Sequence, residues 1–400
     1  MSSGSSLALQ LIGRSDLITV VNADTTFWQF SFQTHTPFQI EPKRFDFTNS
    51  VDYGKLNTTQ LYRTGDYWKQ VYLCLKLDRL DSGNGGARCV DDVGRALIEQ
   101  CQLEIGSVYF DTQQGEIMHA MEELDTHREN HYGRLTGKSS SVAELTDWGK
   151  RQQFLMIKID IWWNKVPFPI VAAYLNEPKL KLKFRQKSDL IVPTAGPYVI
   201  TADDLKILDA YIHIEVVLLE EGERNYVADS QNVYVIDQVQ LQTATLQAGQ
   251  TTAKVSFTLN HPVRELIMFA RSATNTTNKN WFNFTGPEVG IYQSELFESM
   301  SLRINGNDRW EPQNPFYFRV VHPKHHHTRK PDKNIYVFSF ALNPEIPNPN
   351  GSVNFSRIDT ADLNFRFSAP LPENYEFFLF GRNHNSIAVE KGSTRLAFAS

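Results

Sequence analysis

The chain has 400 residues, 41% of them hydrophobic and 21% charged, more than one ordinary core serves, so two domains of about 200 residues are expected. Its 40 Lys and Arg face 45 Asp and Glu for a net charge of -5, a balance that offers phosphate backbones no general attraction and argues against genome coating. The three cysteines, Cys74, Cys89 and Cys101, have neither the density of a disulfide scaffold nor the paired spacing of a zinc site, which points to folding in a reducing, cytosolic setting.

The opening MSSGSSLALQLIGRSDL has no cationic lead and only a short apolar patch from Leu7 to Ile12, a poor match to a signal peptide. No later apolar run approaches the roughly 20 residues of a membrane-spanning helix. Strand patterns then dominate. Val71, Leu73, Leu75 and Leu77 alternate with other residues and predict a strand with one buried face. Two short helices are expected next, one over Asp91 to Gln100 with acidic residues placed to cap it, one over Gly115 to Asn130 with Met118, Met121 and Leu124 on one stripe. Period-two patterns return at Leu155, Ile157, Ile159 and Ile161, at Leu180, Leu182 and Phe184, and at Ile212, Ile214 and Val216. The lysines of Lys179 to Arg185 read as a solvated strand face that could also discourage edge-to-edge pairing.

The polar stretch Glu220 to Asn232 follows a complete strand and is the natural place to divide the chain, near Arg224. Beyond it, the Asn- and Thr-rich Ser272 to Ser294 is expected as a surface loop. NIYVFSFAL reads as a fully buried strand, and Leu363, Phe365 and Phe367 alternate again. Many short strands separated by turns predict an all-β protein of sandwiches or barrels.

Chemistry-bearing motifs are sparse. SGNGGARC, Ser82 to Cys89, lacks the Gly-Lys-Ser/Thr ending of a P-loop and reads as a loop. No nucleophile elbow is present, and no residue is assigned to catalysis. His322, His325, His326 and His327 form the one metal-like signal, but neighbouring histidines on an extended segment point in alternating directions. Packing at a loop end is the favoured reading, with a second idea that the cluster turns repulsive below about pH 6.5. Aromatics interleave with basic residues from Arg309 to Lys324; here Trp310, Phe316, Tyr317 and Phe318 are expected to pack within the fold rather than to stack on bases. Sequons at Asn57, Asn275, Asn283, Asn350 and Asn354 are candidate glycosylation sites.

At Ala341 to Phe365, ALNPEIPNPNGSVNFSRIDTADLNF strongly resembles the major capsid proteins of nucleocytoplasmic large DNA viruses, the iridoviruses and chlorella viruses among them. The resemblance continues in order along the chain: SLALQLIGRSDLITV as an amino-terminal arm, TTFWQFSFQTHTPFQIE, RTGDYWKQVYLCLKL, FPIVAAYLNEPKLKLKFR, FTLNHPVRELIMFAR and LRINGNDRWEPQNPFYFRVVHPKHHHT. The closing GRNHNSIAVEKGSTRLAFAS departs from the family's run of glycine and small residues.

The resemblance implies two consecutive eight-stranded antiparallel jelly-roll sandwiches, at 16–223 and 224–400 after an arm at 1–15. It also implies a homotrimer that tiles an icosahedral shell beside neighbouring capsomers, penton and minor capsid proteins and inner-membrane proteins, without direct genome binding. It implies assembly in the host cytoplasm, with no cofactor and no metal. Leu7, Leu9 and Leu11 of the arm, with His325 and His326, are the candidate assembly contacts. The competing readings are a minor capsid paralogue, a carbohydrate-binding jelly roll with exposed coplanar aromatics, and a cupin-type enzyme with His and Glu converging in one barrel.

Overall fold

A computed structural model describes residues 26–28, 30, 32, 34–80, 86–124, 130–139, 141–196, 198–286 and 295–398. Met1–Pro37 and Phe38–Ser400 form two compact units. In the first, Phe27, Trp28, Phe30 and Phe32 are almost fully exposed. Leu7, Leu9 and Leu11 lie outside the described residues.

The second unit opens with β1 (Phe38–Asp46), β2 (Leu56–Gln60), β3 (Tyr67–Leu77), β4 (Gly86–Cys89), β5 (Ile98–Ile105), β6 (Val108–Gln113), β7 (Gln153–Lys158), β8 (Pro178–Phe184), β9 (Ile191–Ala195) and β10 (Ile207–Leu219). Two four-stranded sheets result, β1-β10-β3-β7 and β2-β8-β5-β6, with β4 and β9 as a separate pair. The helix Glu221–Asp229 then leads to β11 (Asn232–Leu246), β12 (Thr252–Phe257), β13 (Pro262–Ser272), β14 (Phe297–Ile304), β15 (Asn307–Gln313), β16 (Tyr336–Ser339), β17 (Val353–Asn354), β18 (Ala361–Phe367), β19 (Tyr375–Glu390) and β20 (Ser393–Leu396). These build β11-β19-β13-β16, to which β17 and β20 add, and β12-β18-β14-β15.

Setting aside the small pairs, each half has eight principal strands, and both halves place them identically: first-eighth-third-sixth in one sheet, second-seventh-fourth-fifth in the other. All pairings are antiparallel. This crossing pattern is the jelly roll, which folds one long hairpin into two facing sheets.

The first sandwich is filled as the alternation predicted. Val71, Leu73, Leu75, Leu77, Leu155, Ile157, Leu180, Leu182, Phe184, Ile212, Ile214 and Val216 are all buried, and each such side chain contributes about 1.5–3 kcal/mol. The lysines of β8 turn outward, Lys181 to Glu104 and Lys183 to Glu99 at 2.7 Å. β8 lies between β2 and β5, so it is not an edge, and its charges serve cross-strand pairing rather than edge protection.

Other expectations need correcting. The helix foreseen over Asp91–Gln100 covers only Val93–Leu97, because Ile98 already starts β5. Asp92 does not cap it through its side chain; it adopts φ 51° and turns its carboxylate to Arg95 and His119. The second foreseen helix, over Gly115 to Asn130, is present at Gly115–Leu124, and residues 125–129 lie outside the described residues. It packs tightly on the first, since a Cβ at Gly115 would sit 2.1 Å from the Arg95 carbonyl. Gly86–Cys89, read as loop, is a strand.

Candidate functional site

The sheet β11-β19-β13-β16 has no solvated face along its central strands. In β13, Leu266, Met268 and Ala270 enter the second sandwich, while Ile267 and Phe269 point the other way into a core continuous with the first. In β19, Phe377 and Leu379 face inward, and Phe378 and Phe380 face the first sandwich. Phe269 stacks on Phe284 at 4.2 Å and meets Phe378 at 5.3 Å. Alternation therefore survives, but both alternate faces are apolar. Trp281, Phe282 and Phe284, expected in a surface loop, are buried here.

Charged groups fix the register of this apolar seam. Glu116 accepts from Arg185 at 2.5 Å and from Arg271 at 3.1 Å, and both guanidinium groups lie over the Trp281 ring, at 4.2 and 5.1 Å. Arg382 joins Glu265 and, at 3.3 Å, Asp237, which also holds Arg264. Burial disfavours the Glu265 carboxylate, but Arg382 and His327 outweigh it and hold its pKa well below the usual range. The Val239 N–H donates to Asp111 at 3.2 Å, tying β11 to β6. Among the described residues no cation forms a salt bridge with Asp111, and burial pushes it up to about 7.

The histidines lie on a helix, His322–His326, rather than on an extended segment, and the His322 and His326 rings meet at 4.2 Å. His322 accepts from the Ser339 N–H at 2.7 Å and stacks on Phe338 at 4.8 Å. His325 is exposed, and His326 lies 3.0 Å from the Leu342 carbonyl. His327 sits between Glu265 at 2.9 Å and Glu345 at 3.3 Å. Among the described residues no group of three or more ligands could hold a metal.

Nor do the rings act together on acidification. Burial opposes a charge on His327, but Glu265 and Glu345 raise its pKa, so its contribution is full below about 6.5 and fades as pH rises through the raised value. His322 is pushed down to about 4 by burial and the neighbouring imidazoles, so its contribution is lost as pH falls toward that value. His327→Gln is expected to lower the melting temperature more at pH 6 than at pH 9; an equal loss at both would separate His327 from its carboxylates.

Trp310 and Phe318 pack as expected, with Trp310 4.1 Å from Phe338 and 5.3 Å from Phe318, whereas Tyr317 is exposed. The sequons differ. Asn57 is corrected as a glycan site: it is fully buried and its amide donates to the Asp52 and Lys55 carbonyls, both at 3.2 Å. Asn275 and Asn283 bond each other, Asn350 ties its own turn, and Asn354 is exposed.

Among the described residues, two groups of exposed apolar side chains lie near the sites discussed above. Tyr174, Leu175, Tyr226 and Val233 are exposed near the linker helix and the β19–β20 turn, where the Leu175 N–H donates to the Gly392 carbonyl. Val321 and Leu342, the latter 77% exposed, flank His325 and His326. None of these signals was separable in the sequence from ordinary core residues, because exposure is decided by partners distant along the chain.

Residues 26–246 match the model described as "Major capsid protein N-terminus", and residues 223–394 the model described as "Large eukaryotic DNA virus major capsid protein". The major capsid protein of Phaeocystis pouchetii virus is 26% identical to the chain, covering 99% of it and 100% of that protein. That of Pyramimonas orientalis virus is 25% identical, again over 99% and 100%. The PBCV-1 virus capsid structure overlays with a TM-score of 0.79 at 20% identity, over 94% of this chain and all of that one, which establishes the double jelly-roll fold. With these matches running through both sandwiches, the chain belongs to the major capsid protein family of large eukaryotic DNA viruses.

Proposed function

We propose that three copies of this chain close into a pseudo-hexameric capsomer and that these capsomers tile the icosahedral shell of a large DNA virus, as its dominant capsid subunit. The observation that carries the reading is the repeated strand order: two lobes of equal topology per chain give six in a trimer. Six near-equivalent lobes fit hexagonal neighbours on a flat facet. Contacts between one chain's first lobe and the next chain's second lobe are head-to-tail, and a threefold rotation closes them.

Permanent interfaces of this kind bury upward of about 2,000 Å² with apolar centres. The patches around Leu342 and around Tyr226 have that character, and His325 and His326 would form part of the rim of the first. The exposed aromatics Phe27 to Phe32 support docking of the amino-terminal segment, with Leu7, Leu9 and Leu11, on a neighbouring capsomer. Penton, minor capsid and inner-membrane proteins complete the proposed partners, with assembly in the host cytoplasm. The role is structural, and no residue is assigned to catalysis.

Mass photometry of the purified chain at micromolar concentration tests this, with negative-stain imaging. A species of three times the 45.8 kDa chain mass with a hexagonal outline is expected, and Leu342→Asp should reduce it to folded monomer. A stable wild-type monomer would overturn the reading.

A further inference from the structure

The connections between the fifth and sixth principal strands are long in both sandwiches, carrying the helix Gly115–Leu124 in one and the helix His322–His326 in the other. They meet at the seam around a cavity of about 550 Å³, a volume typical of small-molecule sites. One wall is apolar, formed by Met118, Met121 and Leu124 from successive turns of one helix. Lys158 and Lys165 line it as well.

The charges around the cavity are unevenly matched. Arg95 is paired with Asp92 at 2.9 Å and with Glu122. His327 is paired with Glu265 and Glu345. Lys165, by contrast, donates to the Glu345 backbone carbonyl at 2.8 Å, and no described carboxylate forms a salt bridge with it or with Lys158. Asp160 also lines the cavity, yet it does not offset the cost of burying Lys165. Burial pushes that amine down to about 8; Arg382 and Arg264 add to the effect, and Asp160 and Asp237 oppose it. A half-buried ammonium held by one carbonyl gains from an arriving anion, because charge-assisted hydrogen bonds are stronger where water is scarce. Two methionines on the facing wall adapt to an apolar body of variable shape.

We propose that this cavity binds a small amphipathic anion, its carboxylate or phosphate head on Lys158 and Lys165 and its short apolar body against Met118, Met121 and Leu124. The site is complete within one chain and does not depend on the shell reading.

Isothermal titration of the purified full chain at pH 7 with octanoate, octyl phosphate, octanol and inorganic phosphate separates the contributions. One octanoate or octyl phosphate per chain is expected, with Kd below about 1 mM, and whichever head binds more tightly identifies the source chemistry. Octanol and inorganic phosphate should each bind at least about tenfold more weakly, as should octanoate to Lys165→Met, given the strength of a charge-assisted bond. Lys158→Gln, at a partly exposed position, provides the same readout should Lys165→Met fail to fold. Equal binding of octanol, equal binding of inorganic phosphate, unchanged affinity in the variants, or no heat with any of the four would each overturn the proposal.

Discussion

Arg382→Met will destabilise the protein by about 3–5 kcal/mol, the usual cost of stripping one partner from a buried ion pair. Arg382 is 3% exposed and holds Glu265, itself fully buried, together with Asp237. Without the guanidinium, Glu265 keeps only His327, and the Asp237 carboxylate keeps Arg264 and His384. A fall of roughly 4–6 °C in melting temperature corresponds to this range for a chain of this size. Adding Glu265→Leu should return at least part of the loss, because an apolar pair in place of a buried ion pair is often neutral. A drop below about 1 kcal/mol in the single variant would mean that water reaches Glu265 and that the network does not lock the seam.

That network illustrates where the sequence was legible and where it was not. β8 could be read directly, because its lysines face water and its leucines face one core. β13 and β19 could not be divided the same way. ELIMFAR and FFLFGR are apolar on both alternate faces, and which residue enters which core depends on the first sandwich lying against the sheet. Trp281, Phe282 and Phe284 were hidden among Asn and Thr, where composition says loop, yet they fill the seam. Ala96 and Leu97 carried a helical pattern into Ile98, where pairing with β8 overrides local propensity.

The cavity draws its lining from Gln70 to Glu345, and only the Met118, Met121, Leu124 stripe was visible beforehand, as an ordinary amphipathic face. The order of family motifs supplied what periodicity lacked, namely the topology.

Asp111 should make the wild type less stable as pH rises. Its folded pKa of about 7 stands above the ordinary aspartate value of 3.8, so between those values the folded state keeps a proton that the unfolded state has released. Stability falls as pH climbs through that window and levels off above it. The full difference corresponds to about 4 kcal/mol as an upper bound, and about 2–4 kcal/mol is expected after local relaxation.

Asp111→Asn keeps an acceptor for the Thr112 and Val239 N–H groups, while its new NH2 group faces the Gln113 amide, which the Asp160 carbonyl holds in place. The variant should therefore lose less stability than the wild type between pH 5 and pH 8.5 in chemical denaturation. Parallel pH profiles for the two proteins would show that Asp111 ionises freely in the fold.

The sheet with two buried faces has a mechanical consequence. Because β13 and β19 belong to both cores, the two lobes of one chain cannot rock against each other without exposing Ile267, Phe269, Phe378 and Phe380. In a ring of six lobes, three of the six junctions would then be stiff and three compliant. Bending of a facet toward an edge or vertex would concentrate at the junctions between chains, and the curvature a shell tolerates would be set by those three hinges.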